Sequence, residues 1–380
     1  MNSLLQLVKV ITRRCEMTKF YSLPIASIRQ ETDSAICLSL NIPAELKETF
    51  SFTPGQFLTL QAIIDGEEIR RCYSICSGVD EAQLSVAIKR VEQGVFSNFA
   101  NDNFKAGDTI EVMPPQGDFT LKTLDSANSK NYMLLAAGSG ITPILSLIKS
   151  ILGREPNSQI TLVYGNQKTL TMMFKEELSF IKNRYLTRFN WVNIMSQEDQ
   201  GADLLNGRID NKKGYQLQKR KLIDINTTDE AFICGPESMI SEVSRGFRIE
   251  GLAEDQIHYE LFASSSEDAQ LVLDKAKDRV QEYGENRTSK VTVIADGRSN
   301  NFDLATVGAN ILDAGMANGM ELPYSCKAGV CSTCKAKLVK GKVDMDISHG
   351  LEQHEIDEGY ILTCQSHPIT DEVVVSFDDR

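Results

Sequence analysis

The sequence predicts a multidomain chain: an antiparallel β-barrel, then an α/β module built on a parallel sheet, then a cysteine-bearing C-terminal module. Three observations carry this. Short strands punctuated by Pro-Gly and Asp-Gly turns fill the first third, strand–helix alternation fills the middle, and clustered cysteines mark the end. The length agrees, because 380 residues exceed what one hydrophobic core normally organises.

Residues 1–16 read as an N-terminal extension, basic in balance and without the small-residue cleavage site that follows a secretory core. Residues 17–125 form the barrel. Its strands are SLPIASI, AICLSLNI, QFLTLQAII, IRRCYSIC and QLSVAIKRV, separated by Pro54-Gly55, Asp65-Gly66 and, further on, Gly107-Asp108. Residues 126–262 alternate: strand YMLLAAG, a helix from Pro143 to Leu152, strand ITLVYG, helix MFKEELSFIK, strands FNWVNIM and EAFICG, and a helix after Pro236. Residues 263–288 are polar and open on three serines. They read as a linker with at most one helical turn, reaching about 28 Å as a flexible chain. Residues 289–380 begin with strand KVTVIAD.

Composition excludes several classes. The chain has 40 basic and 52 acidic residues, a net charge of −12, whereas a nucleic-acid binder wants a basic face. The apolar stretch Tyr132–Ile148 is interrupted by Gly138, Gly140 and Pro143 and is too short to span a membrane. Nine cysteines, an odd number, are too few for a disulfide scaffold. A cytoplasmic location follows, and the cysteines need another use.

Four of them supply it. Cys326, Cys331, Cys334 and Cys364 are spaced C-x4-C-x2-C with the fourth far downstream. This is the plant-type pattern for a 2Fe–2S cluster, in which soft anionic thiolates stabilise ferric iron. Gly329 with small Ala328, Ser332 and Thr333 lets backbone wrap closely around the sulfurs. A structural zinc site would more often take two short-gapped pairs, and no histidine stands among the ligands for a Rieske centre. Cys15, Cys37, Cys72 and Cys76 read as structural.

Arg71-Cys72-Tyr73-Ser74 closes a barrel strand. A guanidinium there can pair with an anion, an aromatic ring can stack, and a hydroxyl can hydrogen-bond, although a salt-bridged strand would carry the same residues. Gly94-Val95-Phe96-Ser97 opens a helix whose N-terminus suits an anion. Gly138-Ser139-Gly140-Ile141-Thr142-Pro143 joins a strand to a helix. Its glycines admit a pyrophosphate, Thr142 can cap, and Pro143 suits the first helical position. Cys234-Gly235-Pro236 ends a later strand.

These segments, with PPQGDF and the cluster loop PYSCKAGVCSTC, resemble the ferredoxin–NADP reductase family, in the form that adds a C-terminal plant-type ferredoxin domain and serves multicomponent oxygenases. The resemblance spans about 360 residues, from Met17 onward. It implies a β-grasp (α+β) fold for residues 289–380, FAD as hydride acceptor, NADPH (or NADH) as donor, a 2Fe–2S cluster as relay and a di-iron oxygenase as electron sink. It implies catalytic roles for Ser74, Cys234 and Glu260, with Cys234 facing the nicotinamide ring. It makes Arg71, Tyr73, Ser74, Gly94, Ser97, Gly138, Gly140, Thr142, Pro143, Gly235, Pro236 and Phe262 cofactor-binding. Two other readings stay open: a different oxygenase or a hybrid-cluster protein as sink, and a flavin–iron–sulfur redox sensor. Among the nucleotides, NADPH is favoured, since Gln167 and Lys168 follow VYGN, Arg208 comes later in LLNGRID, and no acidic residue directly follows the strand.

Overall fold

A computed structural model describes residues 19–261 and 266–379. The extension 1–16, Cys15 and Phe262 lie outside the described residues. The chain divides into two compact units, residues 1–262 and 263–380.

In the first unit, β1 (Tyr21–Thr32), β2 (Ala35–Leu40), β3 (Phe57–Ile64), β4 (Glu67–Ser74), β5 (Leu84–Lys89) and, after helix α1 (Val95–Asn103), β6 (Thr109–Val112) form one antiparallel sheet. Its order is β4-β3-β6-β1-β2-β5, and an Ile75–Val86 bridge joins the two ends. The sheet therefore closes on itself, as an alternating pattern with no free edge requires. Asp65-Gly66 is a two-residue hairpin turn, and both residues take positive φ, 53° and 85°, the condition for the turn that matches strand twist.

The second half alternates β7 (Asn131–Ala137), α2 (Ile141–Arg154), β8 (Gln159–Asn166), α3 (Lys175–Arg184), β9 (Phe189–Met195), α4 (Asn211–Lys219), β10 (Glu230–Cys234), α5 (Glu237–Ile249) and β11 (Ile257–Glu260). The strands are all parallel in the order β11-β10-β7-β8-β9. Helix α2 starts at Ile141, earlier than the proline suggested, because a tight turn over Gly138–Gly140 runs straight into it. Ile144, Leu145, Ile148 and Ile151 on α2 have no exposed surface, each worth about 1.5–3 kcal/mol of burial.

One apolar cluster holds Cys37, Cys76, Phe119 and Leu121 from the barrel side together with Tyr132, Leu134 and α2. Barrel and parallel sheet thus share a core. Ser146 Oγ on α2 donates to the Ser77 carbonyl at 2.7 Å, just beyond the end of β4.

The second unit holds α6 (Ser266–Tyr283), β12 (Thr288–Ala295), β13 (Arg298–Ala305), α7 (Ile311–Ala317), β14 (Lys335–Lys340), β15 (Val343–Met345), α8 (Gln353–Asp357), β16 (Tyr360–Leu362), β17 (Ser366–Pro368) and β18 (Glu372–Ser376). A mixed sheet β13-β12-β18-β14-β16 wraps α7, with β15 and β17 paired beside it. This is the expected α+β grasp. The segment 263–288 departs from expectation. It carries an 18-residue helix, α6, rather than a flexible linker. The reason is tertiary: Arg279 is buried against Asp344 and Asp346, which the polar local sequence does not reveal. Among the described residues no helix is long and apolar enough to cross a membrane.

Candidate functional site

At the barrel end, the β3–β4 ladder sets Tyr73 opposite Leu58 and Ser74 opposite Phe57. Strand alternation sends neighbouring side chains to opposite faces. Tyr73 packs against Phe96 with ring centroids 5.7 Å apart, which brings β4 beside the turn that opens α1. Gly94 is the N-cap of α1, so the first amides of that helix are available to an anion. A Cβ on Gly94 would sit 2.6 Å from Ser97 Oγ. That hydroxyl already accepts the Val91 amide at 3.1 Å, so it builds the turn as well as facing it. Arg71 is exposed and donates through Nη1 to the Arg70 carbonyl at 2.7 Å.

The carboxyl edge of the parallel sheet meets this strand end. Register pairs Cys234 with Ala136 and with Glu260. Ser74 Oγ donates to Glu260 Oε2 at 3.3 Å. The three residues expected to be catalytic are therefore gathered where barrel and sheet join. Burial pushes the Glu260 carboxyl up to about 8, Asp118 adds to this, and the Ser74 hydrogen bond opposes it. Burial, then the nearby Glu260, also pushes the Cys234 thiol up, and Cys234 has no exposed surface.

A raised carboxyl favours the protonated folded state. Its stabilising contribution is full below the ordinary value of 4.5 and is lost as pH rises through about 8. Glu260→Gln should remove that loss. Thermal melts of wild type and variant should coincide near pH 4 and diverge by several degrees, in the variant's favour, near pH 9. A pH-independent difference contradicts the environment assigned to Glu260.

The glycine turn Gly138–Gly140 is tightly determined. Gly138 has φ +55°, and a Cβ on Gly140 would overlap the Cys234 carbonyl oxygen. A Cβ on Gly235 would lie 2.5 Å from Met239 Cε and 3.1 Å from Ala137 Cβ, and Pro236 is the N-cap of α5. Thr142 does not cap α2. Gly140 holds the cap position, and Thr142 Oγ1 donates to the Ser139 carbonyl at 3.0 Å. Pro143 falls on the third helical residue, where its missing N–H is still no loss.

Sequence reasoning missed Lys89. It ends β5, and its Nζ lies 3.9 Å from the place a Cβ on Gly138 would occupy. A cation there suits a pyrophosphate lying on the glycine turn. The signal was present in VAIKRV, as a lysine closing a barrel strand. Glu198 was also missed. It returns from beyond β9 to the β8 edge, accepting the Thr169 hydroxyl at 2.6 Å and amide at 2.7 Å. These bonds hold its carboxyl below the usual range, so the acidic residue absent from the chain near VYGN is present in space.

In the second unit the cluster loop curls through positive φ at Lys327, Gly329 and Ser332. A Cβ on Gly329 would lie 2.8 Å from Ile347 and 3.0 Å from Gln365 Cγ. The Ala328 amide donates to Cys326 Sγ at 3.3 Å and the Cys326 amide to Cys331 Sγ at 3.4 Å. The β14–β16 ladder sets Lys335 opposite Leu362, bringing Cys334 beside Cys364. The sulfurs fall into two neighbouring pairs, Cys326 with Cys331 and Cys334 with Cys364. Two pairs of thiols ringed by inward amides fit a two-iron cluster, each iron taking two thiolates.

Comparisons with known proteins agree in order and extent. Residues 22–121 match the family described as oxidoreductase FAD-binding domain, 134–245 oxidoreductase NAD-binding domain, and 293–368 2Fe-2S iron-sulfur cluster binding domain. The chain is 42% identical to one of the subunits of 1,2-phenylacetyl-CoA epoxidase from Escherichia coli (strain K12), over 96% of this chain and 99% of that protein. It is 33% identical to the ferredoxin reductase component of 3-ketosteroid-9-alpha-monooxygenase from Rhodococcus rhodochrous, over 93% and 96%. Its fold is similar to that of phthalate dioxygenase reductase, with TM-score 0.58, 22% identity, and coverage of 94% of this chain and 98% of that one. It is also similar to part of an intact type IV self-sufficient cytochrome P450 monooxygenase, with TM-score 0.65, 20% identity, and coverage of 94% and 41%.

Proposed function

Because the chain belongs to the oxygenase reductase components that join FAD-binding, NAD-binding and 2Fe–2S domains in one polypeptide, we propose that it carries electrons from NADPH to a di-iron oxygenase that epoxidises phenylacetyl-CoA. The observation that carries this reading is near full-length identity of 42% to the phenylacetyl-CoA epoxidase component, against 33% to the ketosteroid relative. Bound FAD and the 2Fe–2S cluster supply hydride acceptance and single-electron transfer.

The protein's own residues position, shield and tune. Tyr73 offers an aromatic face and Ser74 a hydroxyl to the flavin ring. Arg71 and the amides at the start of α1 offer donors to its pyrophosphate. Gly138, Gly140, Gly235 and Lys89 hold the nucleotide backbone. Pro236, Thr142 and Pro143 set the two helix starts that frame it. Cys234 backs the nicotinamide position as a small apolar thiol. Glu260, neutral at pH 7, keeps a negative charge away from the hydride path while hydrogen-bonded to Ser74. Cys326, Cys331, Cys334 and Cys364 hold the irons. The reading carries a cytoplasmic location, where thiols stay reduced.

Mixing the holoprotein with the oxygenase components of a phenylacetyl-CoA epoxidase tests the assignment. NADPH oxidation should become coupled to loss of phenylacetyl-CoA. Coupling to a ketosteroid oxygenase instead would transfer the protein to another pathway.

NADPH is favoured over NADH by a groove beyond β9 that is basic in balance, with Arg208, Lys212, Lys213, Lys219 and Arg220 against Asp203 and Asp210. The Glu198 carboxylate is already committed to Thr169. Arg208→Ala should raise the KM for NADPH by about tenfold, the scale of one charge-assisted contact, and leave NADH turnover unchanged. Equal effects on both nucleotides would remove Arg208 from the 2′-phosphate.

A further inference from the structure

The segment between the second and third modules is chemically more than a connector. Helix α6 buries Arg279, which is 4% exposed. Its Nη1 donates to Asp344 Oδ2 at 2.7 Å and to Asp346 Oδ1 at 2.5 Å. Asp346 Oδ2 meets His367 Nε2 at 3.1 Å. Lys275, one turn earlier on α6, donates to the Met345 carbonyl. One face of α6 thus grips β15 and the residue after it.

What β15 touches on its other side gives this grip a purpose. The Asp346 amide donates to the Gln365 carbonyl at 2.8 Å, next to ligand Cys364. Gln365 Nε2 donates to the Lys327 carbonyl at 3.0 Å, next to ligand Cys326. Ile347 packs where a Cβ on Gly329 would stand, and the Gly350 amide donates to the Gly329 carbonyl at 2.8 Å. The Leu362 amide donates to Met345 Sδ at 3.4 Å. A continuous path runs from Arg279 through Asp346 and Gln365 to both ends of the cluster loop.

A buried ion pair is seldom the most stable filling for such a space, since apolar residues of equal volume do as well or better. Among the described residues, this one also leaves Arg279 Nε and His367 Nδ1 without a hydrogen-bond partner. Burial pushes the Asp346 carboxyl up, but His367 and Arg279 outweigh it and hold the group ionised, below its ordinary value. The arrangement is costly for stability and specific in direction, which fits a device that fixes position.

We propose that α6 is a brace for the iron–sulfur loop and that Arg279 is its positioning residue. By fixing Asp346 and β15, Arg279 holds Gln365 and Gly329 where the loop amides stay aimed at the ligand sulfurs. The inference rests on the reading of Cys326, Cys331, Cys334 and Cys364 as cluster ligands.

The experiment uses the full-length holoprotein, with Arg279→Met, Arg279→Lys and Asp344→Asn as variants. Iron release to a chelator should be about tenfold faster in Arg279→Met, the usual scale for losing an outer partner of a metal site. Arg279→Lys and Asp344→Asn should fall between it and wild type. The paramagnetic spectrum of the reduced protein should shift in line shape, while NADPH-dependent ferricyanide reduction, which draws on the flavin, stays at the wild-type rate. Asp344→Asn keeps the test alive if Arg279→Met is insoluble, because it removes one arm without stranding the guanidinium. Wild-type iron release and spectrum in the variants, even with a lowered melting temperature, overturn the brace. A wild-type chain that gives no paramagnetic signal on reduction overturns the ligand reading instead.

Discussion

Replacing Cys331 by serine abolishes electron delivery to the oxygenase and spares NADPH-dependent ferricyanide reduction. Cys331 is 7% exposed, with its sulfur beside Cys326 and the Cys326 amide directed onto it. A serine hydroxyl is a harder ligand that stays protonated at neutral pH, so one iron would lose one of its two soft anionic donors. Partner reduction should fall by at least about a hundredfold, the loss expected when a metal-site component is removed outright. The two units pack separately: among the described residues, the cores of the flavin half draw on residues before 262, while the cluster module has its own core around Val291, Ile311, Leu362 and Val375. Steady-state assays with ferricyanide and with the oxygenase, run on one preparation, separate the two. If oxygenase reduction survives at full rate, electrons do not pass through the cluster.

Gly140→Ala is the second large effect, and it strikes the opposite end of the relay. The added methyl would overlap the Cys234 carbonyl, which belongs to a central strand and cannot rotate away. Either the glycine turn or the β10 end must retreat, at a cost of about 1–3 kcal/mol of overpacking and a misplaced nucleotide site. A displacement near 1 Å costs about a hundredfold in rate where geometry sets the reaction, so kcat/KM for NADPH should drop by that order. Flavin content should hold, and reduction of the oxygenase driven by dithionite should be normal. Gly214→Ala is the control. It lies within α4 with open space around it and should stabilise the chain by up to about 1 kcal/mol. Normal NADPH turnover in Gly140→Ala would mean that the two strand ends do not have to meet.

What the sequence made legible was local chemistry with fixed spacing. Cys326, Cys331 and Cys334 announce a cluster because three thiolates must lie on one tight loop, and Asp65-Gly66 announces a hairpin because few pairs accept its backbone. Sequence was weaker wherever a residue's role depends on a distant partner. Glu198 is remote from VYGN along the chain and becomes its neighbour only through the β8–β9 register. Lys89 reaches the glycine turn because barrel and sheet share a core, which neither segment encodes alone. Arg279 looked like one more charge in a polar stretch until Asp344 and Asp346 stood opposite it. Thr142 and Pro143 misled by a short-range rule, because the turn before them was already helical.

The position of β11 at the sheet edge has a consequence for biosynthesis. Translation delivers Ser74 long before Glu260, so the nascent barrel emerges with that hydroxyl unmatched. Until residues 257–260 leave the ribosome, β10 is itself the edge, and the outer backbone N–H and C=O groups of Ala231–Cys234 have no ladder partner. A product cut short after β10 would keep the glycine turn and the barrel yet carry an adhesive margin. Such fragments should be found in aggregates or in degradation.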